Sequence, residues 1–136
     1  SKKNYGSFCN EKRINVKKNN KLNECRIAVS SSEKKKLESV NFFKNKNITK
    51  MGSIAYKIAL VAKGEFDMAL SFTKKNDWDL AAADLLVTEA GGEIKSITGK
   101  KINYNTNELI IDSVVAGNLK MTSQLINNLK KSNESK

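Results

Sequence analysis

The sequence predicts an α/β fold, a sheet covered by helices on both faces. Three observations carry that expectation. Short apolar runs at residues 25–30, 48–51, 66–70, 93–97 and 110–116 have strand length, and longer helical patterns alternate with them. The chain has no proline to break those patterns and no internal repeat. Residues 76–92 read as a helix with both ends marked.

The elements follow in order. Residues 1–6 are polar and expected to fray. Residues 8–17 alternate around Phe8, Ile14 and Val16, with Asn10-Glu11 as the turn of a hairpin or of two short strands. A polar loop at 17–23 leads to the strand at 25–30. Ser32 is placed to cap a helix over 33–43, whose packed face would hold Leu37, Val40 and Phe43 or Phe42. After the strand at 48–51, Gly52-Ser53 opens a second helix that ends near Gly64, with Ile54, Ile58 and Val61 on its apolar side. The strand at 66–70 and a loop at 71–77 precede the helix that contains Trp78. A strand at 93–97, a turn at 98–100, a strand at 110–116 and an amphipathic helix at 119–129 complete one domain, residues 1–130. Residues 131–136 form a charged tail, expected to be disordered.

The Trp78 helix carries the most informative pattern. Asp77 is a candidate N-cap, and Gly91 or Gly92 can take the left-handed conformation that closes the last turn. At about 100° per residue, Asp79 falls in line with Ala83, Leu86 and Ala90, while Asp84 and Thr88 fall on a solvated side. A carboxylate on a buried face requires a partner. Helix-end amides or a metal ion both meet that need, and the residues alone leave the choice open. In the preceding helix, Lys57 projects between Ile54, Leu60 and Val61. It reads either as a lysine snorkelling over apolar surface or as an ammonium reaching into a cleft to bind phosphate.

Composition narrows the chemistry. A length of 136 residues suffices for one domain with a core, and no apolar run is long enough to span a membrane. No signal-peptide pattern is present, and the chain begins at Ser1, which reads as a fragment or a processed chain. Cys9 and Cys25 form no CxxC, which points to a reducing, cytoplasmic setting. The absence of histidine excludes His-based triads and His-ligated zinc within this chain. The net charge of +11 comes from lysines spread along the chain, and aromatics make up only 7%. That pattern disfavours a nucleic-acid interface and favours a positive field that draws in anionic substrates.

Trp78-Asp79-Leu80-Ala81-Ala82-Ala83 followed by Glu89-Ala90-Gly91-Gly92 resembles the second signature motif of the inositol monophosphatase family. That family comprises magnesium-dependent phosphate monoesterases, among them inositol monophosphatases and 3′(2′),5′-bisphosphate nucleotidases. The resemblance extends from about Tyr5 to about Asn127. It implies a mixed sheet with helices on both faces, like the C-terminal half of the inositol monophosphatase and sugar phosphatase fold. The Asp after the Trp is a metal ligand in the family, which implies Asp79 as a Mg2+ ligand. Residues 8–14 resemble the family's strand–turn–strand with Asn-Gly-x-x-Ile, Glu11 replacing the Gly. Residues 29–33 resemble the Ser-Arg-Ser-His segment that borders the nucleotide in bisphosphate nucleotidases, with Glu33 where the His stands. This implies Ser30 and Ser32 at the substrate. Gly52 and Ser53 match the family's Gly-rich helix start, and a Lys in the place of Lys57 faces phosphate in the nucleotidases.

Inositol-specific members carry a Glu shortly before Trp-Asp. Here Phe72, Thr73, Lys74, Lys75 and Asn76 stand there, which leans toward a nucleotidase-like member with Lys75 near the substrate. The family's first signature, Asp-Pro-(Ile/Leu)-Asp-Gly-Thr, and its upstream Glu do not occur. The chain thus looks like the C-terminal half of such an enzyme, inactive by itself, with the N-terminal half as its missing partner; a homodimer is also allowed. Its substrate would be a small anionic phosphate ester. An inositol-1-phosphate phosphatase is the alternative enzyme. A non-catalytic basic module using Lys57, Lys74 and Lys75 to hold phosphate or nucleic acid, or a structural domain in which Asp79 only caps a helix, are the alternatives outside catalysis.

Overall fold

The structure, a computed structural model, describes residues 1–38, 41–44, 46–107 and 109–134. The chain opens with a hairpin, β1 (Ser7–Cys9) and β2 (Lys12–Ile14), and continues through β3 (Arg26–Val29), α1 (Ser31–Glu38), β4 (Asn47–Lys50) and α2 (Ile54–Ala62). It then runs through β5 (Met68–Ser71), β6 (Lys75–Asn76), α3 (Asp77–Glu89), β7 (Glu93–Lys95), β8 (Ile110–Ile111), β9 (Val114–Gly117) and α4 (Leu119–Glu134). The main sheet has five strands in the order β4-β3-β5-β9-β7. β4, β3 and β5 are parallel, whereas β9 runs antiparallel to both β5 and β7. This is the mixed α/β sheet expected from the sequence.

Side-chain alternation divides the core into two layers. Ala28, Ala69 and Ala116 face one side, and α2 and α3 pack there with Ile58, Val61, Leu80, Ala83, Val87 and Ala90. Ala69 lies opposite Ala116 in the ladder, and Ala28 opposite Ala69, so small residues meet across three strands and the helices sit close. Ile27, Val29, Met68, Leu70 and Val115 face the other side, against Met121 and Leu125 of α4 and against Leu37 and Phe43. Burying a side chain of that size contributes about 1.5–3 kcal/mol.

Turn chemistry fixes the corners. Asn10 and Glu11 both have positive φ, 48° and 65°, the conformation that two-residue hairpins require. Gly91 closes α3 with φ 85°. Gly92 is needed for a different reason: a Cβ there would stand 2.8 Å from the Gly117 carbonyl and from Val16.

Several boundaries differ from expectation. α1 begins at Ser31, so Ser32 lies inside the helix and is not its cap; Val40 lies outside the described residues. Phe43 is buried as expected, but on a short 3-10 turn, Asn41–Phe43. The run at 110–116 divides into β8 and β9, because β8 leaves the main sheet to pair with β6. α4 continues to Glu134, past the start of the expected tail; Leu125, Ile126 and Leu129 hold its inner face on the sheet.

Candidate functional site

The topology collects three helix starts. β3, β4 and β5 are parallel, and their carboxyl ends lead into α1, α2 and, through β6, α3. Helix N-termini carry free amides and a partial positive charge. Open α/β sheets bind ligands beyond the carboxyl ends of their strands. Ser30, Ser32, Gly52, Ser53, Lys57, Lys75 and Asp79 all belong to these starts.

At α1, Ser30-Ser31-Ser32-Glu33 forms a capping box. The Ser30 amide donates to Glu33 Oε2 at 3.3 Å, and the Ser30 hydroxyl donates to the same oxygen. Glu33 Oε1 accepts the Ser71 hydroxyl at 2.8 Å, the Phe72 amide at 2.6 Å and the Thr73 amide at 3.1 Å. Glu33 is 1% exposed. Burial pushes its carboxyl up, but the bonds from Ser30, Ser71 and the Phe72 amide outweigh burial, and the net is below the ordinary glutamate value. Glu33 is therefore an ionised tie between the start of α1 and the end of β5. The Ser30 and Ser32 hydroxyls lie 3.3 Å apart beside it.

Lys57 lies one turn into α2 and is 1% exposed. Its stem is packed away among apolar neighbours, and the small exposure it keeps is the 1% of the whole residue. No hydrogen bond reaches its ammonium from the described residues. Burial lowers its pKa, the Glu33 charge pulls it back up, and Lys75 lowers it further. Lys75 Nζ donates to the Thr73 carbonyl at 3.1 Å and to the Thr73 hydroxyl. Ser30, Glu33, Lys57, Ser71, Thr73 and Lys75 thus form one linked group. Gly52 and Ser53 stand exposed at the start of α2. Ser53 caps that helix, accepting the Tyr56 amide at 3.3 Å, and holds φ 49° to do so.

α3 corrects three expectations. Its cap position is Asn76, without a side-chain bond, and not Asp77. Asp77 is instead the buried acid of the first turn and accepts the Asn105 amide at 3.1 Å. Asp79 is exposed, not on the buried face. The inward stripe is Leu80, Ala83, Val87 and Ala90, with Leu86 half-buried at its flank. Asp79 also falls at that flank, beyond the edge of the stripe, and is exposed although Asp77 and Leu80 of the same turn are buried. Asp84, expected to be solvated, is half-buried and accepts the Tyr104 hydroxyl at 2.7 Å and the Thr88 hydroxyl at 3.0 Å. Burial, with Asp84 adding to it, raises the Tyr104 phenol above its ordinary value.

Asp79 has no hydrogen-bond partner among the described residues, and they contain no cluster of three metal-ligating side chains. Magnesium takes near-octahedral oxygen coordination. One carboxylate falls short of that set, so the residues present do not by themselves fit the ion. The two cysteines are free, and burial, with Asp67 adding to it, pushes the Cys25 thiol up to about 11, which removes it from nucleophilic chemistry at neutral pH. A cavity of about 380 Å³ near Asn15, Lys18 and Asn118 lies against Ala90 and Gly91 at the far end of α3, and none of Ser30, Ser32, Gly52, Ser53, Lys57, Lys75 and Asp79 lines it.

Sequence reasoning singled out Glu33 only as a replacement, although its Ser-x-x-Glu spacing signals a capping box. It missed Ser71 and Thr73, whose part depends on β5 ending beside α1. No local pattern marks that.

Comparison with known proteins matches residues 1–134 to the inositol monophosphatase family. A fructose-1,6-bisphosphatase/inositol-1-monophosphatase of Thermotoga maritima is 34% identical over 119 residues, covering 81% of this chain and 46% of the relative. A 3′(2′),5′-bisphosphate nucleotidase, CysQ, of Aggregatibacter actinomycetemcomitans is 33% identical over 94 residues, 66% of this chain and 34% of the relative. The solved structure of an IMPase from Thermotoga maritima superposes with a TM-score of 0.82 and 26% identity, covering 99% of this chain and 52% of that one. The chain thus spans about a third to a half of the length of these relatives, and no helix among its described residues is long and apolar enough to cross a membrane. With its mixed sheet, its gathered helix starts and its Trp78-Asp79 motif, the chain belongs to the inositol monophosphatase family.

Proposed function

We propose that this chain is the substrate-side portion of a magnesium-dependent phosphate monoesterase of the bisphosphate-nucleotidase type. The observation that carries the reading is Lys57, a residue 1% exposed whose ammonium has no hydrogen-bond acceptor among the described residues, set among three helix starts. Glu33 supplies its countercharge, but the Lys57 N–H donors still lack an acceptor among the described residues, a need that is costly to leave unmet. A phosphoryl group placed between Lys57 and Lys75 would satisfy it and would also use the positive ends of the helices. Ser30 and Ser32 offer hydroxyls to the ester, and the Gly52-Ser53 turn borders it. Asp79 presents an unpartnered carboxylate as one metal ligand, the others coming from polypeptide beyond this chain. With ligands from both parts in place, magnesium held there would supply an activated water and charge for the leaving oxygen. The chain alone is inactive on this reading.

Inositol 1-phosphate is the competing substrate, favoured by the name of the Thermotoga relative. The absence of a Glu among residues 72–76 favours the nucleotide ester. The test is phosphate release by the chain complemented with the remaining half of the enzyme. Adenosine 3′,5′-bisphosphate should be hydrolysed in preference to inositol 1-phosphate. Lys57→Ala should raise KM for the bisphosphate at least tenfold, about 1.4 kcal/mol of binding, and alter monoester hydrolysis much less. Equal losses on both substrates would count against a second-phosphate role for Lys57.

A further inference from the structure

The cavity at the far end of α3 lies apart from the three helix starts. Asp79 and Gly91 are about 18 Å apart along the helix axis, so no small ligand touches both. A volume of about 380 Å³ is within the range of small-molecule sites. Five polar residues, Asn15, Lys17, Lys18, Asn20 and Asn118, line it, and no Asp or Glu does. Neither Lys17 nor Lys18 has an acidic partner among the described residues.

The walls of the cavity are held in place. The Val16 amide donates to the Ala90 carbonyl at 2.9 Å. The Asn118 carboxamide donates to the carbonyls of Lys17 at 2.9 Å and Asn19 at 2.7 Å, while its oxygen accepts the Met121 amide at 2.8 Å. Asn118 thus fastens the 17–19 segment to the start of α4. Gly64, with φ 79°, makes room for the segment: a Cβ there would stand 3.0 Å from the Asn15 carbonyl oxygen and 3.8 Å from the Lys17 stem. A preformed site spends little binding energy on ordering itself.

The end of α3 would oppose an anion, because the last carbonyls of a helix carry partial negative charge. Here those carbonyls are occupied. Leu86, Val87 and Thr88 accept the amides of Ala90, Gly92 and Gly91, and Ala90 accepts that of Val16. The two ammonium groups therefore set the sign of the site. Lysines suit a phosphate as point charges. Carboxamides both donate and accept, which suits hydroxyls. No aromatic ring lines the cavity, so nothing there stacks a nucleobase. Inorganic phosphate alone would leave the Asn15 and Asn20 amides unused.

We infer that this cavity binds a small polyhydroxylated organic phosphate of sugar-phosphate size, its phosphate on Lys17 and Lys18 and its hydroxyls on Asn15 and Asn20. The site is separate from the one proposed for the hydrolysed ester and does not depend on Lys57 or Asp79.

The test is a titration of the 136-residue chain with glucose 6-phosphate, followed by backbone amide chemical shifts. Resonances of Lys17, Lys18, Asn20, Gly91 and Asn118 should move along one saturating curve. Glucose and inorganic phosphate, titrated separately, should bind at the same residues about tenfold more weakly. Lys17→Gln combined with Lys18→Gln should weaken glucose 6-phosphate about tenfold. Asn20→Asp, which adds a carboxylate to the exposed rim, should weaken it comparably, and all variants should melt within a few degrees of wild type. Lys100→Gln combined with Lys130→Gln removes the same charge elsewhere on the surface and should change affinity less than about twofold. Shifts confined to Ser30, Lys57 and Lys75 would report the proposed phosphatase site and not this one. Three results overturn the inference: no shift at the cavity residues, a lysine-pair effect no larger than that of the control pair, or inorganic phosphate binding as tightly as the sugar phosphate, which would mean an anion patch only.

Discussion

The starts of α1 and α3 both place acids in the first turn, and Glu33 and Asp79 have opposite fates. Glu33 is 1% exposed and accepts bonds from Ser30, Ser71, Phe72 and Thr73. Asp79 is exposed, with no partner among the described residues. A carboxylate whose lone pairs are all used holds a fold together and has little left for a ligand. A carboxylate with free lone pairs at a helix start contributes little to stability and stays available. The difference marks Glu33 as a structural acid and leaves Asp79 free for the proposed ligand role. The Glu33 side chain is turned to Ser71 and the amides of Phe72 and Thr73.

The sharpest way to break this comparison is Asp79→Asn in the complemented enzyme. The isosteric amide should leave melting within a degree or two and reduce phosphate release by orders of magnitude, with partial recovery at high magnesium. A stable, fully active variant would refute the ligand role. Glu33→Ala should do the reverse. It removes several bonds and the countercharge of Lys57, so about 3 kcal/mol and roughly 10 °C of melting temperature should be lost. The pH dependence follows from the direction of the Glu33 shift. Its folded pKa lies below its unfolded value, so its stabilisation is complete above the unfolded carboxylate value and is lost as pH falls through the folded one. Between neutral pH and about pH 3, wild type should lose more melting temperature than Glu33→Ala. A parallel loss in both proteins would place the acid-sensitive group elsewhere.

The smallest expected effect lies outside both helix starts and calibrates them. Glu11 holds φ 65° in the hairpin turn. Glu11→Gly should stabilise the chain by about 1 kcal/mol, because glycine adopts that conformation without the Cβ clash. Thermal unfolding measures it. A loss of stability would mean that the Glu11 side chain makes contacts that outweigh the strain.

Much of the fold was legible in local pattern. Alternation found the five strands of the main sheet and the hairpin, and the turn at Asn10-Glu11 and the stop at Gly91 were marked by residue type. Ala83 and Ala90 were correctly read as inward, since a 3.6-residue period fixes which residues share a face. The period does not fix what lies over that face at each height along the helix. For that reason Asp79 was read as buried when it projects from the exposed flank of the stripe, and Asp77 and Asp84 were read as a cap and a solvated acid when the loop carrying Tyr104 and Asn105 folds over them.

Sequence by itself determined the class of fold, the family motif around Trp78-Asp79 and the choice of Lys57 as the unusual cation. Those depend on residue type and short-range spacing, which the chain carries wherever it goes. Only the tertiary structure decided that Glu33 is consumed by Ser71 and the Phe72 and Thr73 amides, that Lys57 is nearly covered with no described neighbour accepting from its ammonium, and that Asp79 is left open. Each of those depends on β5 ending beside the start of α1, or on what stands across from a helix turn. Burial and partnership are properties of residues distant in sequence brought close in space, and no window of sequence contains them.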